Sequence, residues 1–152
     1  RIAETMFSSQ YLGADNKINF NKLIDSYKSY IKKGSFRPFR EKDSAGNFKS
    51  IPEAAMIYSF ETFISIFLQE VGAKSYREAY VSLGNTDLII NLNGFEYLVE
   101  TKKYYSPSKF AKGKDQLAYY CEQAQIKEGI YIVFLKDSIQ SELIQETKDT
   151  IN

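Results

Sequence analysis

The stretch that decides the fold is TDLIINLNGFEYLVETKK, residues 86 to 103. Two apolar runs flank Asn93-Gly94, the dipeptide that most strongly signals a two-residue hairpin turn. Charged residues ride on this hairpin: Asp87 at the start of the first run, Glu100 and Lys102 at the end of the second. Side chains alternate faces along a strand, so Glu100 and Lys102 point the same way. Pairing about the Asn-Gly turn sets Asp87 across from the Glu100 region, and a slip of one residue would turn it to the other face. Three charged groups then converge at one edge of a sheet. Two carboxylates held close together repel, which favours either a raised pKa or a divalent cation between them. Hard oxygen ligands of this kind suit Mg²⁺ or Mn²⁺.

Outward from the hairpin, the texture is first β and then helical. A strand is expected over 76–83, ahead of the hairpin strands 86–92 and 95–102. Before them, Pro52 opens the long run IPEAAMIYSFETFISIFLQEVG, with Gly72 past its end. That helix is apolar nearly all round and is expected to lie buried against the sheet. A further helix is expected over 17–33, stopped by Gly34, followed by a loop over 35–50. After the hairpin, 104–114 reads as a polar loop containing Pro107 and Gly113, and helix signals return at KDQLAYYCEQAQI. The run IYIVFL (130–135) is a strand of the buried type, and the tail 136–152 is compatible with a helix. Residues 1–16 carry no clear period and read as an arm. The order of helix, three strands able to pair antiparallel, helix and strand predicts one α/β domain with a mixed sheet flanked by helices.

Composition narrows the chemistry. The chain holds no histidine, so His-based acid–base catalysis, His-ligated metals, and Ser-His or Cys-His nucleophile pairs are excluded. Any chemistry must use carboxylates, lysine, tyrosine or water on a metal. The lone cysteine, Cys121, excludes an internal disulfide and fits a reducing, cytoplasmic setting. No apolar run approaches the roughly 20 residues that cross a bilayer, so no membrane partner is expected. The net charge of +1 gives no strong signature, but basic residues gather in windows 28–42 and 102–114. With Arg1 as its first residue, the sequence reads as a piece of a longer chain.

Four pieces, PEAAMIYSF (52–60), GNTDLII (84–90), VETKKY (99–104) and GKDQLAYYC (113–121), stand in a fixed order. Together they resemble the PD-(D/E)XK nuclease superfamily. The likeness is closer to the nuclease domain found behind predicted AAA-ATPase-like domains, which SFRPFREKDSAG (35–46) and EGIYIVF (128–134) also resemble. The resemblance implies a restriction-endonuclease-like core of order α-β-β-β-α-β. It implies an arm and helix start over 1–26, a nuclease-like domain over 27–136 and a helical tail over 137–152. It further implies a metal-dependent nuclease that hydrolyses nucleic acid, DNA ahead of RNA, with Mg²⁺ or Mn²⁺ as cofactor. The alternative is a catalytically silent nuclease fold serving as a nucleic-acid-binding or regulatory module. An ATPase-like domain in the same longer chain is the implied partner, and a homodimer stays open.

Residue by residue, the resemblance makes Asp87 and Glu100 the metal-binding acids and Lys102 the catalytic lysine. Glu53 matches the helical glutamate that reaches the site in many members, and Glu61 is its rival. Gln116 matches the glutamine that orients the lysine or a water at the scissile phosphate, while Tyr120, one turn on, reads as packing. Asn85 departs from the pattern, where relatives often carry a basic residue. Most of the aromatics, such as Phe60, Phe63 and Phe67, sit at core spacing. Lys103, Tyr104, Tyr105, Lys112 and Lys114 are the residues expected to contact nucleic acid, through stacking and phosphate tracking.

Overall fold

A computed structural model of the chain describes residues 10–33, 42–47, 53–77 and 87–135. Within them lie helices α1 (Phe20–Lys32), α2 (Glu53–Val71) and α3 (Pro107–Ala124). The strands are β1 (Lys74–Tyr76), β2 (Asp87–Leu92), β3 (Phe95–Lys103) and β4 (Glu128–Phe134). They form one sheet in the order β1-β2-β3-β4; the first two pairings are antiparallel, and β3 pairs with β4 in parallel. The mixed α/β class is therefore as the sequence predicts. The expected loop residues 35–41 and 48–50, most of the expected strand 76–83, and the tail 136–152 lie outside the described residues.

The hairpin turn is built as its sequence demands. Asn93 and Gly94 both have positive φ, 53° and 81°, the signature of a type I′ turn whose twist matches the flanking strands. Leu92 then faces Phe95, and the register runs without a slip to Asp87 opposite Glu100.

Strand alternation gives the sheet two apolar faces. Leu88, Ile90, Leu92, Tyr97 and Val99 point to one, where they pack with Leu23 and Tyr27 of α1 and with Ile57, Phe60 and Ile64 of α2. The Tyr27 and Ser59 hydroxyls share a buried hydrogen bond of 2.9 Å between these helices. Ile89 and Leu98 point to the other face, against Leu117 and Cys121 of α3. Helix α2 buries a stripe, not its whole circumference: Ile66 is 67% exposed and Tyr58 56%. The segment read as an arm contributes Tyr11, which is buried edge-on against Phe67. Just beyond that segment, Ile18 donates its backbone N–H to the Tyr97 hydroxyl at 3.1 Å.

The largest difference from expectation is at 104–114. Pro107 and Gly113 read as loop breakers, yet the helix already begins at Pro107. Ser106 is its N-cap, accepting from the Lys109 N–H, and Pro107 occupies the first turn, where a missing N–H costs nothing. Gly113 nevertheless lies inside the helix, and the Tyr131 ring packs against it where a side chain would not fit; a β-carbon there would stand 2.7 Å from Cζ of Tyr131. At the far end, Gln125 adopts φ 58°, and Ile126 N–H donates to the Cys121 carbonyl at 2.8 Å. This closes the helix end and returns the chain to β4. β4 is half-buried along most of its length rather than of the fully buried type, because it borders the sheet among the described strands.

Candidate functional site

The α3 face of the sheet carries the charged row. Leu98, Glu100 and Lys102 share this face by alternation, and residue 87 enters the same row as the partner of Glu100. On the other side of Glu100 the register partner is Tyr131 of β4, and Lys102 stands beside Val133. Positions 87, 100 and 131 thus form one line across three strands. The side chains of Asp87 and Glu53 lie outside the described set; Glu53 is the first residue of α2.

Glu100 is buried, 1% exposed. A carboxylate in such a place must be compensated, since an isolated buried charge is costly. Lys102 supplies a counter-charge, its Nζ 3.6 Å from Oε1, with the lysine side chain about a third exposed. The acid therefore sits at the floor and the ammonium nearer the surface. Burial lifts the neighbouring Cys121 thiol to about 11, and the Glu100 charge pushes the same way. Glu61, the rival helical acid, lies 3.7 Å from Arg77 Nη2.

Beside the pair opens a cavity of about 430 Å³ between the ends of β3 and β4 and the first turns of α3. Lys102, Lys103, Tyr104, Tyr105, Lys112 and Gln116 of the expected residues line it. Lys114 does not; its ammonium lies 5.9 Å from the centroid of the Phe110 ring. Gln116 donates through Nε2 to the Tyr120 hydroxyl at 2.8 Å, so the residue read as packing holds the carboxamide in place.

Lys109, from the basic window 102–114, lines the cavity too, as do Phe110, Gly113, Tyr131 and Val133, which carry no expected site role. The reading of 104–114 as a loop hid the helical spacing of Lys109, Phe110 and Gly113. Tyr131 was hidden inside a run that read as buried strand, although its even spacing from Val133 marks one face.

The donor chemistry fits a hard divalent cation. Asp87 and Glu100 are direct register partners, so two acidic positions stand at one level of the sheet, and oxygen donors are what Mg²⁺ and Mn²⁺ take. Among the described residues no group of three or more His, Cys, Asp or Glu side chains converges. No described helix is long and apolar enough to cross a membrane. No curated protein and no solved structure matches the chain. Residues 18–137 match the family described as a domain of unknown function, DUF8371, and the chain belongs to that family.

Proposed function

We propose that the chain is a metal-dependent nuclease with a restriction-endonuclease-like core. The observation that carries the reading is the register of Asp87 against Glu100 with Lys102 on the same face, 3.6 Å from the Glu100 carboxylate. The described helices and strands also run in an order compatible with that core, with one added helix, α1.

Asp87 and Glu100 would hold the cation. When bound, it supplies a water of lowered pKa and neutralises charge on a phosphoryl oxygen. Lys102 holds the attacking water by hydrogen bonding and offsets the negative charge that builds on the phosphorus-bound oxygens. Gln116, hydrogen-bonded to Tyr120, lines the same cavity as Lys102 and orients that water through its carboxamide. Hydrolysis forms a bond from the water oxygen to phosphorus and breaks the bond to the leaving sugar oxygen, which takes up a proton. Lys103 and Lys112 lie along the rim, where they can neutralise flanking phosphates.

The test is cleavage of single- and double-stranded DNA and RNA with and without Mg²⁺, for wild type, Lys102→Ala and Glu100→Ala. Mg²⁺-dependent cleavage lost in both variants supports the reading. Activity that survives Lys102→Ala overturns the mechanism. No cleavage together with no Mn²⁺ binding at millimolar metal assigns the fold to a silent binding module.

A further inference from the structure

The cavity beside Lys102 is both aromatic and cationic. Phe110 and Tyr131 face each other with ring centroids 5.7 Å apart, and Tyr104 lies 6.4 Å from Phe110. These rings come from three elements, β4, α3 and the turn between β3 and α3, so the wall is built by the fold and not by one local run. Tyr105 is 62% exposed at the mouth, and Lys109 holds its ammonium 4.9 Å from that ring. Lys103 and Lys112 complete the charged rim.

A duplex is met by convex elements, a helix or strand pair that enters a groove, because its bases are stacked on one another. A concave pocket with an aromatic wall and a lysine rim has the opposite shape. It suits an unstacked base lying against the rings with its phosphates at the rim. The volume of about 430 Å³ falls in the range of pockets that enclose one small ligand.

Gly113 is the device that makes the space. With no β-carbon on α3 at this point, the Tyr131 ring can lie against the helix; a β-carbon would stand 2.7 Å from Cζ and 3.3 Å from Cε2. Tyr131 is also the register partner of Glu100. One aromatic ring therefore joins the wall of the pocket to the level of the acid.

We propose that this cavity binds one unstacked nucleotide of single-stranded nucleic acid, its base against Tyr131 and Phe110 and its phosphates at Lys103 and Lys112. The nuclease reading enters only in placing the neighbouring phosphate at Glu100 and Lys102; the binding itself does not depend on it.

Fluorescence anisotropy in EDTA, where no metal-dependent cleavage occurs, tests it. Labelled single-stranded DNA, single-stranded RNA of the same sequence, a blunt duplex and a single strand with abasic positions are titrated with the whole chain. One of the two single strands is expected to bind about tenfold tighter than the duplex, and the abasic strand about tenfold weaker than its parent. The tighter of the DNA and RNA arms assigns the sugar. Tyr131→Ala and Gly113→Ala are expected to weaken single-strand binding about tenfold, and Tyr131→Phe to retain it, with circular dichroism confirming the fold. Equal or tighter duplex binding overturns the inference, as does an abasic strand that binds like its parent. An inactive protein with the single-strand preference keeps this inference and loses the nuclease reading; an active one that prefers duplex does the reverse.

Discussion

Glu100 and Lys102 stand two residues apart on β3, and the lysine Nζ reaches to 3.6 Å from an acid that is itself buried. The two groups therefore differ in what their loss does. Removing the lysine leaves a carboxylate in a low-dielectric site; removing the acid leaves an ammonium that is about a third exposed and able to reach water. Lys102→Met is expected to destabilise by about 2 kcal/mol, less than the 3–5 kcal/mol of a fully buried pair because Lys102 keeps some hydration. Glu100→Gln is expected to cost under about 1 kcal/mol, and the double variant to recover most of the Lys102→Met loss. Urea denaturation of the four proteins at neutral pH checks this. Equal losses in the two single variants would mean that burial does not separate their roles.

Thr101, between those two residues, points to the opposite face and is fully buried. Its hydroxyl finds no hydrogen-bond partner among the described residues. Burial of an unsatisfied hydroxyl costs about 1–3 kcal/mol. Valine keeps the branched shape, suits a strand and removes the polar atom. Thr101→Val is expected to raise stability by about 1 kcal/mol, read as a higher urea midpoint with an unchanged slope. Because the substitution lies on the other face from Glu100 and Lys102, any nuclease activity should be retained. A fall in stability would show that the hydroxyl has a partner in the native state.

Gly94 fixes the register on which the Asp87–Glu100 pairing depends. It holds φ 81° in the turn, and a β-carbon at this position would meet no atom within 4 Å. The cost of Gly94→Ala is then the backbone conformation alone, about 1 kcal/mol. Thermal or urea unfolding should show that loss, while the proposed metal and nucleic-acid binding stays at its wild-type level if the register holds. A loss of several kcal/mol would mean that the turn has changed type and carried the pairing with it.

The hairpin was legible because its information is local: Asn93-Gly94 specifies the turn, and period-two alternation then places Glu100 with Lys102 and Asp87 opposite. The cavity was not, because its information is carried by contacts distant in sequence. Gly113 reads as a helix breaker until the Tyr131 ring on β4 is seen to need the space. Ser106 and Pro107 carry a helix-start signal, but Gly113 and the polar run around it masked that signal. Tyr11 offered no period at all, since a single buried ring on an irregular segment leaves none to detect. Local chemistry thus gave the acids and the lysine, and tertiary packing gave the pocket beside them.

Cys121 provides a pH-dependent test of how α3 sits on the sheet. Its thiol packs against Ile89 and Leu98, and burial first, then the Glu100 charge, lift it from about 9 to about 11. In the unfolded chain the thiol ionises near 9, whereas the folded protein keeps the proton until about 11. Between those values the folded state binds more protons than the unfolded state, so stability falls as pH rises. The contribution is fully present below about pH 9 and is lost through about pH 11, with a slope of at most about 1.4 kcal/mol per pH unit. The Tyr27 and Tyr97 phenols, raised chiefly by burial, act in the same direction at the alkaline end. Urea denaturation followed from neutral pH upward should therefore be nearly flat in this contribution until the unfolded thiol begins to ionise, and then decline. The decline should be shallower in Cys121→Ala. Under mildly alkaline conditions a thiol reagent should react slowly with the native protein and rapidly once urea has unfolded it. Fast labelling of the native protein would mean that α3 leaves the sheet readily, which would open the cavity wall that Tyr131 and Gly113 form together.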